Sequence, residues 1–280
     1  MSAPFTIEPF AFNVGPLPLT GFGLAVLLAF GIANIILHRE LADRGHVAEA
    51  EGAADVTTAA LLGTLIGGKL YYVILSGQSP FSRAGFVFWG GFMGAVLFCY
   101  IAIKRKKLSF VRFSDVAGIA IAAGYAVGRT GCWAVGDDYG KPWNGPLAVM
   151  FPNGAPATTA ETMVQQFHAQ IPAGTPPYAL VAVHPTQLYE TALGGVMFAI
   201  LWRFRKHGHQ EGWLFGMYCV LAGIERFIIE FFRAKDDRFA LPLSTAQFVA
   251  LGIALFGAVW MWMRRAPAGT RGTFASASAA

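Results

Sequence analysis

Charge is what this sequence has least of. Asp, Glu, Lys and Arg make up 13% of its 280 residues, against roughly a quarter in an ordinary soluble domain. Hydrophobic residues make up 55%, so there is too little polar surface to solvate a globular exterior, and the composition points to an all-α, polytopic integral membrane protein. Cysteine is also scarce. Cys99, Cys132 and Cys219 are an odd number without paired spacing, which excludes a disulfide framework and offers no zinc motif. No metal and no cofactor is therefore expected, and the cysteines read as small buried hydrophobes. The first residues lack the basic segment and short apolar core of a cleaved signal peptide, so insertion is expected to use internal spans. No aromatic-basic module of a nucleic-acid binder is present.

What is present is a series of apolar runs of about 20 residues, enough to cross a bilayer. They fall at 19–38, 55–76, 85–103, 115–134, 185–204, 212–232 and 242–263, predicting seven transmembrane helices. The turns after the first, third, fifth and seventh runs carry 13 of the 21 Lys and Arg, among them Arg39, Lys104, Arg205 and Arg264. Positive charge stays on the cytoplasmic side, so the N-terminus is expected outside and the C-terminus in the cytoplasm. Residues 1–265 then form one membrane domain. Its long outward segment, 137–184, holds a short helix capped by Thr158 with Glu161 and running to about Gln170. The low-complexity tail, 266–280, reads as a disordered cytoplasmic segment.

Against this apolar background, the stretch Gly128-Arg-Thr-Gly-Cys-Trp-Ala-Val-Gly-Asp-Asp-Tyr-Gly140 stands out for its arginine and paired aspartates. An ionisable residue that directly follows a membrane run marks a site. Lys69, Arg129 and Arg226 each lie 14 residues beyond the expected starts of their runs, about 21 Å along a helix, which predicts three cations in one plane of the outer leaflet. Tyr189 and Glu190 enter from the other side to a similar depth, and Arg226, Glu230 and Arg233 form an i, i+4, i+7 stripe. Two explanations follow from the charges. The cations meet phospholipid phosphates, for which arginine offers a planar fork and lysine a point charge, or Glu190, Glu225 and Glu230 neutralise them in closed pairs.

Gly128-Arg-x-Gly with Gly-Asp-Asp-Tyr-Gly140, His184-Pro-Thr-Gln-Leu-Tyr-Glu190, Arg226-Phe-Ile-Ile-Glu-Phe-Phe-Arg233, Gly90-Gly91 and Ser114-Asp115 together resemble bacterial prolipoprotein diacylglyceryl transferase. That family moves the diacylglyceryl group of phosphatidylglycerol onto the lipobox cysteine of a prolipoprotein signal peptide in the bacterial inner membrane, releasing glycerol phosphate. The resemblance implies that Arg129 and Arg226 match the family's two essential arginines, Asp137 its acidic residue, Gly140 its glycine and Glu230 its glutamate. Phosphatidylglycerol, the prolipoprotein and membrane lipids are the implied partners. Lys69, Asp138, His184, Tyr189 and Glu190 join Arg129, Arg226, Gly140 and Glu230 as the expected phosphatidylglycerol site.

The departures concern proton handling. Trp89 stands where the family has a histidine, Cys132 where it has an asparagine, Phe22 and Ala222 where tyrosines are expected, and Lys69 where an arginine is usual. A thiol of pKa about 8.5 must be ionised to act as a nucleophile, and the arginines would stabilise the departing phosphate. With the histidine absent, Asp137 or Asp138 is the expected base; both also fit a turn ahead of Tyr139-Gly140. His184 also fits a backbone-bonded residue ahead of Pro185. Alternatives are a paralogue acting on another acceptor, or a phospholipid-binding membrane protein without catalysis.

Overall fold

The computed structural model describes residues 4–15, 17–79, 85–234, 238–240 and 243–266; the expected disordered tail lies outside them from residue 267 on. Among the described residues the chain is mostly helical, with α1 Gly21–Asp43, α2 Val47–Ser76, α3 Phe88–Arg105, α4 Phe110–Val135, α5 Ala160–Gln165, α6 Thr186–Phe204, α7 Trp213–Ile229 and α8 Thr245–Met263. Short strands qualify the all-α expectation. β1 (Phe5–Thr6) pairs in parallel with β4 (Val149–Met150), β2 (Ala11–Val14) with β3 (Leu17–Thr20), and β5 (Arg238–Ala240) with β6 (Leu243–Ser244), the last two antiparallel. Five helices, α1, α2, α3, α4 and α8, are long and apolar enough to cross a membrane, and the chain is a multi-pass membrane protein. Leu251, Leu255 and Val259 of α8 stay exposed, as a lipid-facing side requires.

The chain divides into two units, 30–120 and 1–29 with 121–280. In the first, Leu41, Ala53, Phe113 and Val116 form the core, and α2 meets α3 through glycines. A Cβ on Gly67 would lie 2.9 Å from the Gly94 Cα, and one on Gly63 would lie 2.7 Å from the Gly94 carbonyl carbon. Only glycine allows backbones so close, the usual device of small residues between membrane helices. The helices α2 and α4 begin eight and five residues earlier than the apolar runs suggest, and an acidic residue near the start of each is neutralised. Glu49 accepts from Arg112 at 3.2 Å and Asp115 from Arg44 at 2.8 Å. The equal spacing of cations therefore does not hold: Lys69, Arg129 and Arg226 lie 22, 19 and 13 residues beyond their helix starts.

In the second unit, α7 packs on α8, where a Cβ on Gly223 would stand 2.5 Å from the Ala250 carbonyl oxygen. Ser244 and Gln247 close a capping box at the start of α8. The segment from Asp137 to His184 builds its own core from Tyr139, Val149, Phe151, Met163 and Val183. Its short helix is capped by Thr159, whose hydroxyl accepts from Thr162 N, and it stops at Gln165. Thr158 does not cap it, because its hydroxyl is taken by the Phe151 amide at 3.0 Å.

Candidate functional site

The charges of the second unit converge where α4 ends. Arg129, six residues before that end, donates from Nη1 to Asp138 at 2.9 Å and from Nη2 to Glu190 of α6. Nη1 also lies 3.4 Å from the Cys132 sulfur. From the opposite side, Arg233 Nη2 donates to Asp138 at 2.8 Å, and its Nη1 sits 3.6 Å from Glu190. Two guanidinium groups thus share two carboxylates. The arginine side chains are only 12% and 15% accessible, whereas Asp138 is 42% accessible, so the ring is buried on its cationic side and open at one carboxylate.

Arg233 reaches this ring because α7 stops early. The expected i, i+7 stripe ends at Glu230, the C-cap; beyond it the chain turns out to pair with the loop after α4, with Lys141 N donating to Phe232 O at 2.8 Å and Gly140 bridging Arg233. Gly140 has no room for a side chain there: a Cβ would lie 2.5 Å from the Phe232 carbonyl oxygen and 2.7 Å from the His184 Cβ. Arg226 is placed differently, as an ion pair with Glu230 one turn on, with its side chain 33% accessible. That contact, 2.5 Å long, is an ion pair only, since both Glu230 carboxylate oxygens lack hydrogen-bond partners among the described residues. Glu225 receives the Tyr125 hydroxyl at 3.0 Å and feels the charges of Glu190, Arg226 and Arg129.

The two aspartates face different surroundings. Asp138 has a backbone φ of +54°, a left-handed conformation that aspartate tolerates better than most residues. Burial would raise its pKa, but Arg233 and then Arg129 outweigh that and hold it at about 2. Asp137 turns the other way, towards the Cys132 thiol, and burial pushes it up to about 6. Its Oδ1 has no hydrogen-bond partner among the described residues. The first turn of α6 grips this corner, with Gln187 Nε2 donating to the Asp137 carbonyl at 2.6 Å and Thr186 Oγ1 to the Asp138 carbonyl at 2.7 Å.

His184 is held by backbone bonds to Gly140 and Lys141. Its ring stacks on Trp143 at 4.3 Å and its Nδ1 lies 3.3 Å from the Tyr189 hydroxyl. Burial, with Lys141 nearby, lowers its pKa. Tyr189 also meets Phe232 edge-on at 5.8 Å. In the other unit, the Lys69 ammonium lies over the Tyr72 and Phe86 rings at 5.3 and 5.6 Å, and Trp89 packs against Phe88 and Phe92. One ligand atom each from Cys132, Asp137 and Asp138 falls within 4.8 Å of the others, but two guanidinium groups already engage Asp138 and would oppose a cation there. The partnership of Arg233 with Arg129 is the main feature the sequence reading missed; the only signal was the Arg-x3-Glu-x2-Arg spacing.

A multi-pass membrane protein with two arginines and two acids interlocked beside a buried thiol belongs among proteins that handle anionic groups at a bilayer. The family model for prolipoprotein diacylglyceryl transferase matches residues 9–263. Similar chains include the phosphatidylglycerol–prolipoprotein diacylglyceryl transferases of Stenotrophomonas maltophilia, 30% identical with 93% of each chain covered, and of Geobacter sulfurreducens, 28% identical over 90% of this chain and 93% of the relative. That of Clostridium tetani is 26% identical over 90% and 95%. The chain belongs to the prolipoprotein diacylglyceryl transferase family.

Proposed function

We propose that this chain transfers the diacylglyceryl group of phosphatidylglycerol to the lipobox cysteine of a prolipoprotein in the bacterial inner membrane. The observation that carries the reading is Asp138, an accessible carboxylate held between Arg129 and Arg233, because a lipid phosphate is the same kind of ligand for the same forks. An incoming phosphate displaces it. The acceptor sulfur attacks the glyceryl carbon that bears the phosphate ester, a C–S bond forms, and the C–O electron pair leaves on glycerol phosphate. Arg129 and Arg226 stabilise that charge, and Asp137, beside the Cys132 thiol, takes the proton of the acceptor thiol. Gly140, His184, Tyr189, Glu190 and Glu230 shape the phosphatidylglycerol site together with Asp138, and Lys69 assists lipid binding as a point charge.

Trp89 in place of the family histidine supports a second reading, a phospholipid-binding paralogue. One assay separates the two: purified protein with labelled phosphatidylglycerol, with and without a lipobox peptide. Peptide-dependent glycerol phosphate release is the expected result. Lipid binding without release, reversed only by Trp89→His, would establish the paralogue.

The topology proposed for this chemistry has seven spans, α1–α4 and α6–α8, in one membrane domain over 1–265. The N-terminus is outside, 137–184 faces outward, and the end of α8 lies in the cytoplasm. A reporter fused after Met263 should behave as cytoplasmic and one inserted near Asn153 as periplasmic; reversed signals would refute it.

A further inference from the structure

Asp137 and Asp138 are neighbours in sequence, yet one carboxylate meets two arginines and the other meets Cys132. Here the two side chains diverge across a turn in the backbone. The positive φ of Asp138 is that turn, a conformation that costs free energy and persists only when something outside the dipeptide holds it. Thr186 and Gln187 are in position to do so. Both side chains are fully buried, and they donate to the two consecutive carbonyls, Thr186 to Asp138 at 2.7 Å and Gln187 to Asp137 at 2.6 Å.

Gln187 carries a second sign of function. A backbone carbonyl only accepts, so the bond to Asp137 fixes which end of the carboxamide is the donor. The other end, Oε1, then has no hydrogen-bond partner among the described residues. A buried acceptor without a donor costs free energy, and an apolar side chain of the same length would avoid that cost. A residue kept for packing alone would not be an amide.

We propose that Thr186 and Gln187 are positioning residues that divide the labour of the two aspartates, Thr186 presenting Asp138 to the arginines and Gln187 presenting Asp137 to the acceptor thiol. This rests on the reading of Asp137 as the base. The assignment separates two kinetic effects. Gln187→Met should lower kcat about 10- to 100-fold, part of the roughly 100- to 10,000-fold that a positioned proton acceptor contributes, with KM for phosphatidylglycerol within about 2-fold. It should leave the melting temperature close to the parent's, since the orphan Oε1 goes while the Asp137 carbonyl loses its donor. Freed from its pocket, Asp137 relaxes towards an ordinary carboxylate near 4, so the acid limb of kcat/KM should move down from about pH 6. Thr186→Val should instead act mainly on KM for phosphatidylglycerol, and Thr186→Ser, which keeps the hydroxyl, should restore it.

The test is steady-state transfer to a lipobox peptide across pH for these variants beside Asp137→Asn, with thermal unfolding of each. A Gln187→Met protein that is unstable, or that loses kcat without moving the acid limb, overturns the proposal in favour of a structural role. So does unchanged kcat in Gln187→Met when Asp137→Asn is inactive. Full activity in Asp137→Asn would instead refute Asp137 as base, and that failure is read from a different variant.

Discussion

Replacing Arg129 with lysine tests the shared-carboxylate ring most directly. Arg129 uses one terminal nitrogen for Asp138 and the other for Glu190, and Arg233 reaches the same two acids. A lysine keeps the charge, but its single ammonium cannot span both acids in that geometry. In turnover, losing one preorganised contact to the leaving phosphate should cost about 2–4 kcal/mol, a factor of roughly 30 to 1,000. Stability gives the sharper comparison. Because Arg129 and Arg233 share both partners, Arg129→Lys and Arg233→Lys should couple by about 1–3 kcal/mol in a double-mutant cycle of unfolding. Arg226 pairs with Glu230 instead, so Arg129→Lys and Arg226→Lys should add to within about 0.5 kcal/mol in stability, while each depresses turnover. The cycle is read by denaturant unfolding in detergent and by glycerol phosphate release. Additive stability for Arg129 with Arg233, beside coupled stability for Arg129 with Arg226, would refute the arrangement; wild-type turnover in Arg129→Lys and Arg226→Lys would refute their role at the phosphate.

Other expectations follow from the same geometry. Asp137, pushed up to about 6, favours its protonated form, so its contribution to stability is complete below the ordinary 3.8 and is lost as pH rises through about 6; Asp138, at about 2, contributes above 3.8 and is lost as pH falls through about 2. Melting temperatures of the parent and Asp137→Asn should therefore diverge between pH 4 and 6, and parallel curves would contradict the burial of Asp137. Gly140→Ala places a Cβ 2.5 Å from the Phe232 carbonyl oxygen and should lower thermal stability by parting the Gly140–Arg233 bridge, with activity falling too; a melting temperature equal to the parent's would argue against that packing. Lys69→Arg should keep more phosphatidylglycerol turnover than Lys69→Ala, since a point charge is what the position supplies, and equal loss in both would assign Lys69 to packing.

The membrane class was legible in the sequence because hydrocarbon tolerates few charges and requires each span to satisfy its own backbone, so composition and run length already exclude a soluble fold. The motifs were legible too, since Gly128-Arg-x-Gly and His184 to Glu190 carry polar groups that an apolar chain does not retain without use. Helix starts were not. Asp55 and Asp115 looked like boundaries, but the helices extend past both: Glu49, ahead of the first, meets Arg112, and Asp115 meets Arg44, 63 and 71 residues away in the chain. Nor does local spacing tell which acid meets which cation. Counting along a helix pairs Arg226 with Glu230 correctly, whereas Arg233 leaves the helix and joins Arg129 through Asp138 and Glu190, from two other segments of the chain. The same limit applies to Asp137 and Asp138: their side chains are chemically identical, and only the tertiary grip of Thr186 and Gln187 on consecutive carbonyls gives one of them two arginines and the other a thiol.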